Sequence, residues 1–127
     1  MSNNIKLIFE SWRKHLSEQE DEEAFEKLVQ YFKDSAGMDL NAITHAAEMA
    51  KSIGGETSKK FYKFLLKEKY IVQEQIYKYE RYYHEYDPGA LESAGPVRDT
   101  FNEFTDRLKS LNRALSITYN AKEIKHV

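Results

Sequence analysis

The sequence predicts an all-α protein: a helical bundle built on a long antiparallel helical hairpin, residues 57–86 and 96–121, with three shorter helices before it. Three observations predict this. Tyr62, Leu65, Lys69, Val72, Ile76, Tyr79, Tyr83 and Tyr86 follow one another at alternating spacings of three and four. That is the signature of a helix packed lengthwise on another helix, and only Lys69 interrupts the apolar seam. A second seam, Val97, Phe101, Phe104, Leu108, Leu111 and Leu115, keeps the same spacing as far as Thr118. No stretch shows the two-residue alternation of β-branched and polar side chains that a half-buried strand needs.

In chain order, residues 3–16 form the first expected helix. Ile5, Ile8, Phe9, Trp12 and Leu16 share one face, and Lys6, Glu10, Arg13 and Lys14 lie around the other side. Trp12, the only tryptophan, anchors this helix on the bundle or makes it a docking peptide for a partner groove. Ser17-Glu18-Gln19-Glu20 is a capping box, and the acidic residues that follow it sit where the helix dipole favours anions. This second helix carries Phe25, Leu28, Val29 and Phe32 and ends near Ser35 and Gly37. Asp39 is the expected N-cap of the third, with Met38 and Ile43 as a hydrophobic staple. Leu40, Ile43, Ala47 and Ala50 give that helix a narrow face that allows close approach to a neighbour, and Gly54-Gly55 ends it.

The stretch 57–86 holds seven of the nine tyrosines and neither Gly nor Pro. As an unbroken helix it spans about 45 Å, longer than the roughly 30–35 Å width of a compact chain of this size. Asp87-Pro88-Gly89 stops it, a short polar loop is expected to Gly95, and Pro96 suits a first helical position. A short link between two long helices makes them antiparallel neighbours. Phe61, Phe64, Leu66, Tyr70, Ile71, Tyr77 and Tyr82 fall outside the first seam, more apolar surface than one partner helix covers. Either the short helices cover it, or the hairpins of two chains pair into a four-helix core.

The 127 residues fit one domain, with residues 1–53 and 57–127 as subregions on either side of the Gly-Gly hinge. The composition, 31% charged and 41% hydrophobic with a net charge of −2, suits an ordinary helical protein and no strongly polyanionic partner. The absence of cysteine excludes disulfides and thiolate metal sites. No apolar run approaches the roughly 20 residues of a membrane span, and the opening residues lack a signal peptide's apolar core. A soluble, cytoplasmic protein with no membrane contact is expected.

Little in the chain points to catalysis. Di-iron bundles need repeated Glu-x-x-His pairs on facing helices; Glu80 and His84 are four apart, and His45 and Glu48 stand in reversed order. All-α nucleotide pyrophosphohydrolases need a second carboxylate pair soon after Glu-x-x-Glu; here Glu23 and Glu26 are followed by Glu103 and Asp106 far along the chain. There is no Gly-rich phosphate loop and no nucleophile elbow. No enzyme activity, metal or cofactor is therefore expected. Lys59, Lys60, Lys63, Lys67 and Lys69 face only Glu68 within their stretch. They are solvated or pair with the acidic run 18–26, meet a protein partner, or touch nucleic-acid phosphates, for which Lys59, Lys60, Lys63 and Lys67 are the candidates. Lysine without arginine is a weak base-reading set, which disfavours the last reading.

Two stretches carry a family resemblance. LIFESWRKHLSE resembles the amphipathic head peptides of small proteins from large contractile-tailed marine bacteriophages. YFKDSAGMDLNAITHAAEMAKSIG resembles a helical segment of their internal head proteins, where a similar Gly-Met-Asp turn precedes an alanine-rich helix. Together they cover about a quarter of the chain. The resemblance implies a small non-enzymatic virion or assembly protein with residues 5–16 as its docking peptide. The leading expectation from the residues themselves is a homo-oligomer held by helix-on-helix recognition through Tyr62, Leu65, Val72, Ile76, Tyr79, Tyr82, Tyr83 and Tyr86.

Overall fold

The computed structural model describes residues 22–37 and 39–119. Among them lie five helices and no strand: α1 (22–35), α2 (Asn41–Ile53), α3 (Gly55–Tyr86), α4 (Pro88–Glu92) and α5 (Pro96–Thr118). The fold is all-α. The expected helix over 3–16, the Ser17 capping box and the Met38 half of the hydrophobic staple lie outside the described residues.

The start of α2 is built by Asp39, whose carboxylate accepts the Asn41 N–H at 2.9 Å while its carbonyl accepts the Ala42 N–H at 3.0 Å. That is the work expected of an N-cap aspartate. At the other end Gly54, at φ 72°, turns the chain sharply and donates its N–H to Ala50. An L side chain rarely adopts that backbone conformation, so glycine is required there. The same residue accepts the Ser58 N–H at 3.2 Å, and α3 therefore starts at Gly55, two residues before the expected 57.

Two further boundaries differ from expectation. The expected loop 87–95 contains α4, because Pro88 supplies a pre-set helical φ at a position whose N–H has no partner in any case. Residue 119, expected inside the second leg, is not helical: Tyr119 is extended, at φ −65° and ψ 123°. The last two residues of the expected leg, 120 and 121, lie outside the described residues.

α3 and α5 pack along each other in opposite directions. Tyr62 of α3 meets Tyr119 just past the end of α5, with ring centroids 5.9 Å apart, and Tyr79 further along α3 meets Phe104 earlier in α5 at 5.5 Å. The two apolar seams face each other where Leu65, Val72, Leu111 and Leu115 are all buried. Thr118 closes the second seam without leaving a polar orphan, since its hydroxyl donates to the Ala114 carbonyl at 3.0 Å.

The short helices cover one half of this pair. α2 lies against α5 more than against α3 and turns Ala42, Ala46, Ala47 and Ala50 inward, all buried. Four small side chains let the two backbones approach closely. α1 lays Phe25 and Phe32 over Phe61 and Phe64 of α3, with the Phe32–Phe64 rings edge to face at 5.1 Å. Arg107 of α5 ties down the end of α1: its guanidinium donates to the Ala36 carbonyl at 3.3 Å and stands 6.0 Å from the Phe32 ring. One contiguous apolar cluster thus joins residues on both sides of the Gly54 boundary. The turn between α1 and α2 lies level with Glu103–Arg107 of α5. Beyond that level the last ten residues of α3 have only α4 and the first turns of α5 beside them among the described residues, and they form an arm.

Candidate functional site

The 32 residues of α3 reach about 48 Å, against about 20 Å for α2. The excess length is what makes the arm. A chain of ring contacts runs from its inner side to its exposed side: Tyr79 meets Tyr83 at 4.8 Å, Tyr83 meets Tyr82 at 5.0 Å, and Tyr82 meets Tyr86 at 5.0 Å. The Tyr79 hydroxyl donates to the Val97 carbonyl at 3.0 Å, one of the carbonyls at the start of α5. Partial desolvation, then the neighbouring Tyr79, pushes the Tyr83 hydroxyl above its ordinary 10.0.

The eight seam residues divide into three groups. Leu65 and Val72 are buried in the chain's own core. Tyr62, Ile76, Tyr79 and Tyr83 are half-buried, with Tyr62 and Tyr79 packed on rings from the α5 side. Tyr82 and Tyr86 are more than half exposed. Tyr86 is exposed at the very end of α3, where the chain turns away into α4 and α5 offers only its first residues beside it.

The off-seam apolar side chains divide by position along α3. Phe61 is buried and Phe64 and Leu66 are half-buried, covered from within the chain. Tyr70 is 69% exposed and Tyr77 62%, and Ile71 is also more than half exposed. Tyr70 and Tyr77, seven apart, share one stripe of the helix; Ile71 and Tyr82, eleven apart, share a second, and Tyr86 extends it. Tyr70, Ile71 and Tyr77 belong to the off-seam surplus for which the sequence leaves two covers open, the short helices or a second chain, and the described short helices leave them exposed. Charges along this stretch are of both signs, with Lys78 paired to Glu74 at 3.1 Å.

The lysine stripe sits at the opposite end of α3. Lys59 lies 3.8 Å from Glu56, both largely in solvent, a contact worth little. Lys60, Lys63 and Lys67 make no ion pair among the described residues, and so do not pair with Glu22, Glu23 or Glu26; residues 18–21 of the acidic run lie outside the described residues. Lys59, Lys60 and Lys63 line an open hollow of about 860 Å³ between the start of α3 and the end of α5, with Lys51, Tyr62 and Tyr119. Lys51 and Tyr119 come from other elements, which no spacing along α3 could reveal.

Among the described residues no group of three or more His, Cys, Asp or Glu side chains is placed to hold a metal ion. His45 and His84 are exposed; His15 and the pair Glu123 and His126, three apart, lie outside the described residues. No described helix is long and apolar enough to cross a membrane. The residues Ile5, Ile8, Phe9, Trp12 and Leu16 of the expected docking peptide also lie outside the described residues.

Comparison of the chain with protein-family models, with curated proteins and with solved structures found no match.

Proposed function

We propose that this chain is a non-enzymatic helical assembly protein that self-associates through the arm of α3. The observation that carries the proposal is the double stripe Tyr70, Tyr77 and Ile71, Tyr82, Tyr86, exposed on one regular helix along the arm and the two turns that lead into it. Tyrosine suits such a surface because its ring is apolar and its hydroxyl stays hydrated. At roughly 100 Å² offered by each of the five side chains, the two stripes of one α3 present about 500 Å², and those of two chains together reach the lower bound of a specific interface, about 1,000 Å². The two stripes lie too far around the helix for a single partner helix, and a second α3–α5 pair covers both. The mixed charges of Glu74, Lys78, Glu80, Arg81 and Glu85 set up no single-sign barrier between like copies.

The test is solution mass by light scattering, for the parent and for Tyr77→Glu combined with Tyr82→Glu. The expected result is a multiple of the 15.0 kDa chain mass for the parent and a monomer of unchanged helix content for the variant. A monomeric parent at high concentration would overturn the proposal. Tyr79 and Tyr83 are poor choices for this test, since both hold the arm's own packing.

A second reading rests on the lysine hollow. Lys51, Lys60 and Lys63 converge there without ion pairs among the described residues, beside the rings of Tyr62 and Tyr119. Nucleic-acid phosphates suit the lysines and bases suit the rings. This reading expects binding of single-stranded oligonucleotide at low salt that falls steeply as salt rises and weakens in Lys60→Gln with Lys63→Gln. Absence of binding at low salt would dispose of it.

A further inference from the structure

We infer that the groove between α1 and α2 is the seat of the chain's own N-terminal segment, residues 5–16, laid antiparallel to α1. The groove has a volume of about 470 Å³, with Leu28 and Tyr31 of α1 on one wall and His45, Met49 and Ile53 of α2 on the other. Its lining is mainly apolar, and Ile53 stands 50% exposed at its mouth, outside the core cluster. Three observations choose the occupant.

The first is position. Glu23 and Ala24, in the first described turn of α1, line the groove beside Ile53, so the segment proposed as occupant is joined to the chain at this end of it. The second is length. The Ser17 capping box is the expected start of a new helix, which leaves residues 3–16 as a separate helix on a short link, and a helix over 3–16 is about 21 Å long, matching the 13 residues of α2. At about 1.5 Å per residue, Trp12 then lies at the mouth beside Ile53, while Phe9 and Ile5 run along Leu28 and Met49. The third is chemistry. Ile5, Phe9, Trp12 and Leu16 form a stripe one helix face wide, which a groove between two antiparallel helices accepts. Lys6, Arg13 and Lys14 fall on its flanks and Glu10 among them, where the rim carries Glu23 and, beside Tyr31 and His45, Glu48, with Lys27 the one cation of the lining.

The chain has one tryptophan and no cysteine, which gives the test its probe. A bimane fluorophore, quenched by tryptophan on contact, is attached to Ile53→Cys in the full chain. The expected result is quenched emission that recovers several-fold when Trp12→Phe is added and does not change on dilution. The same label on Tyr77→Cys, out on the arm, is expected to be insensitive to Trp12→Phe. A label on His45→Cys, an exposed position at the far end of the groove, supplies a second reading: weaker quenching than at Ile53→Cys fixes the antiparallel direction. Emission at Ile53→Cys that is indifferent to Trp12→Phe, with helix content intact, overturns the inference. So does quenching that fades on dilution, because the segment then comes from another copy, and so does quenching that appears on the arm instead.

Discussion

At the scale of single residues, the energetic weight lies in a few buried side chains and not in the tyrosines that give the sequence its character. Phe61, Ile43, Leu65 and Leu111 are fully buried where α1, α2, α3 and α5 meet. Leu111→Ala removes a side chain enclosed from the α3 side and the α2 side at once, and is expected to cost about 2–5 kcal/mol of stability. Tyr70→Ala removes a larger side chain that stands in solvent and is expected to stay within about 0.5 kcal/mol; urea denaturation of the two variants at low protein concentration checks both. Tyr83 makes a different contribution. Its hydroxyl is raised above 10.0 in the fold, first by desolvation and then by Tyr79. The folded state therefore favours the neutral form. The stability this gives is complete below pH 10 and is lost as pH rises through the higher folded value. Spectrophotometric titration is expected to show one tyrosine ionising late, absent from Tyr83→Phe and absent in denaturant. A native titration identical to the denatured one would refute the assignment.

At the scale of elements, two features depend on side chains being small or missing. Gly54 joins α2 to α3 at a positive φ, and Gly54→Ala is expected to cost about 1–2 kcal/mol. Ala46 and Ala47 are fully buried on the α2 face, so Ala47→Leu overpacks that contact at about 1–3 kcal/mol. Thermal melts of both variants check these values against Lys51→Ala, a change at an exposed position of the same helix that is expected to leave the melt nearly unaltered. These elements were largely legible in the sequence. A three-four seam can be read because the helix period is fixed by backbone hydrogen bonding, so Leu65 and Val72 had to share a buried face wherever the helix lay. The covering of Phe64 but not Ile71 could not be read, since both fall off the seam alike. Their difference comes from where the turn between α1 and α2 stops, which is a tertiary distance. The hollow that gathers Lys51 with Lys60, and the groove that gathers Tyr31 with Met49, depend on which helices become neighbours and carry no signature along the chain. α4 was missed because Pro-Gly suggests a turn, and five residues are too few for any period to appear.

At the scale of the whole molecule, the arm decides the shape and the shape decides the partner. A compact chain of 127 residues has a radius of gyration of about 14 Å, whereas a helix of about 48 Å held out as a two-helix arm requires a larger value. Small-angle scattering of the Tyr77→Glu, Tyr82→Glu variant, expected to be monomeric, should therefore give a radius clearly above that of a compact chain. If the radius matches the compact value, the arm is folded back against the body and its tyrosines are covered from within the chain. The parent gives the complementary reading. Side-by-side pairing of two arms in opposite directions doubles the mass but adds the second body at the far end, so the maximum dimension grows by about one body width while the arms overlap. Pairing through the bodies instead leaves two arms free, and a further Tyr77→Glu change then has no effect on mass. Because the tyrosine stripes lie at one end of α3 and the lysine hollow at the other, the two surfaces can be lost independently. Tyr77→Glu with Tyr82→Glu is expected to abolish the oligomer without altering any low-salt oligonucleotide binding, and Lys60→Gln with Lys63→Gln to do the reverse. Loss of both properties in either variant would mean that the hollow is completed only in the oligomer, which the distance between the two ends of α3 argues against.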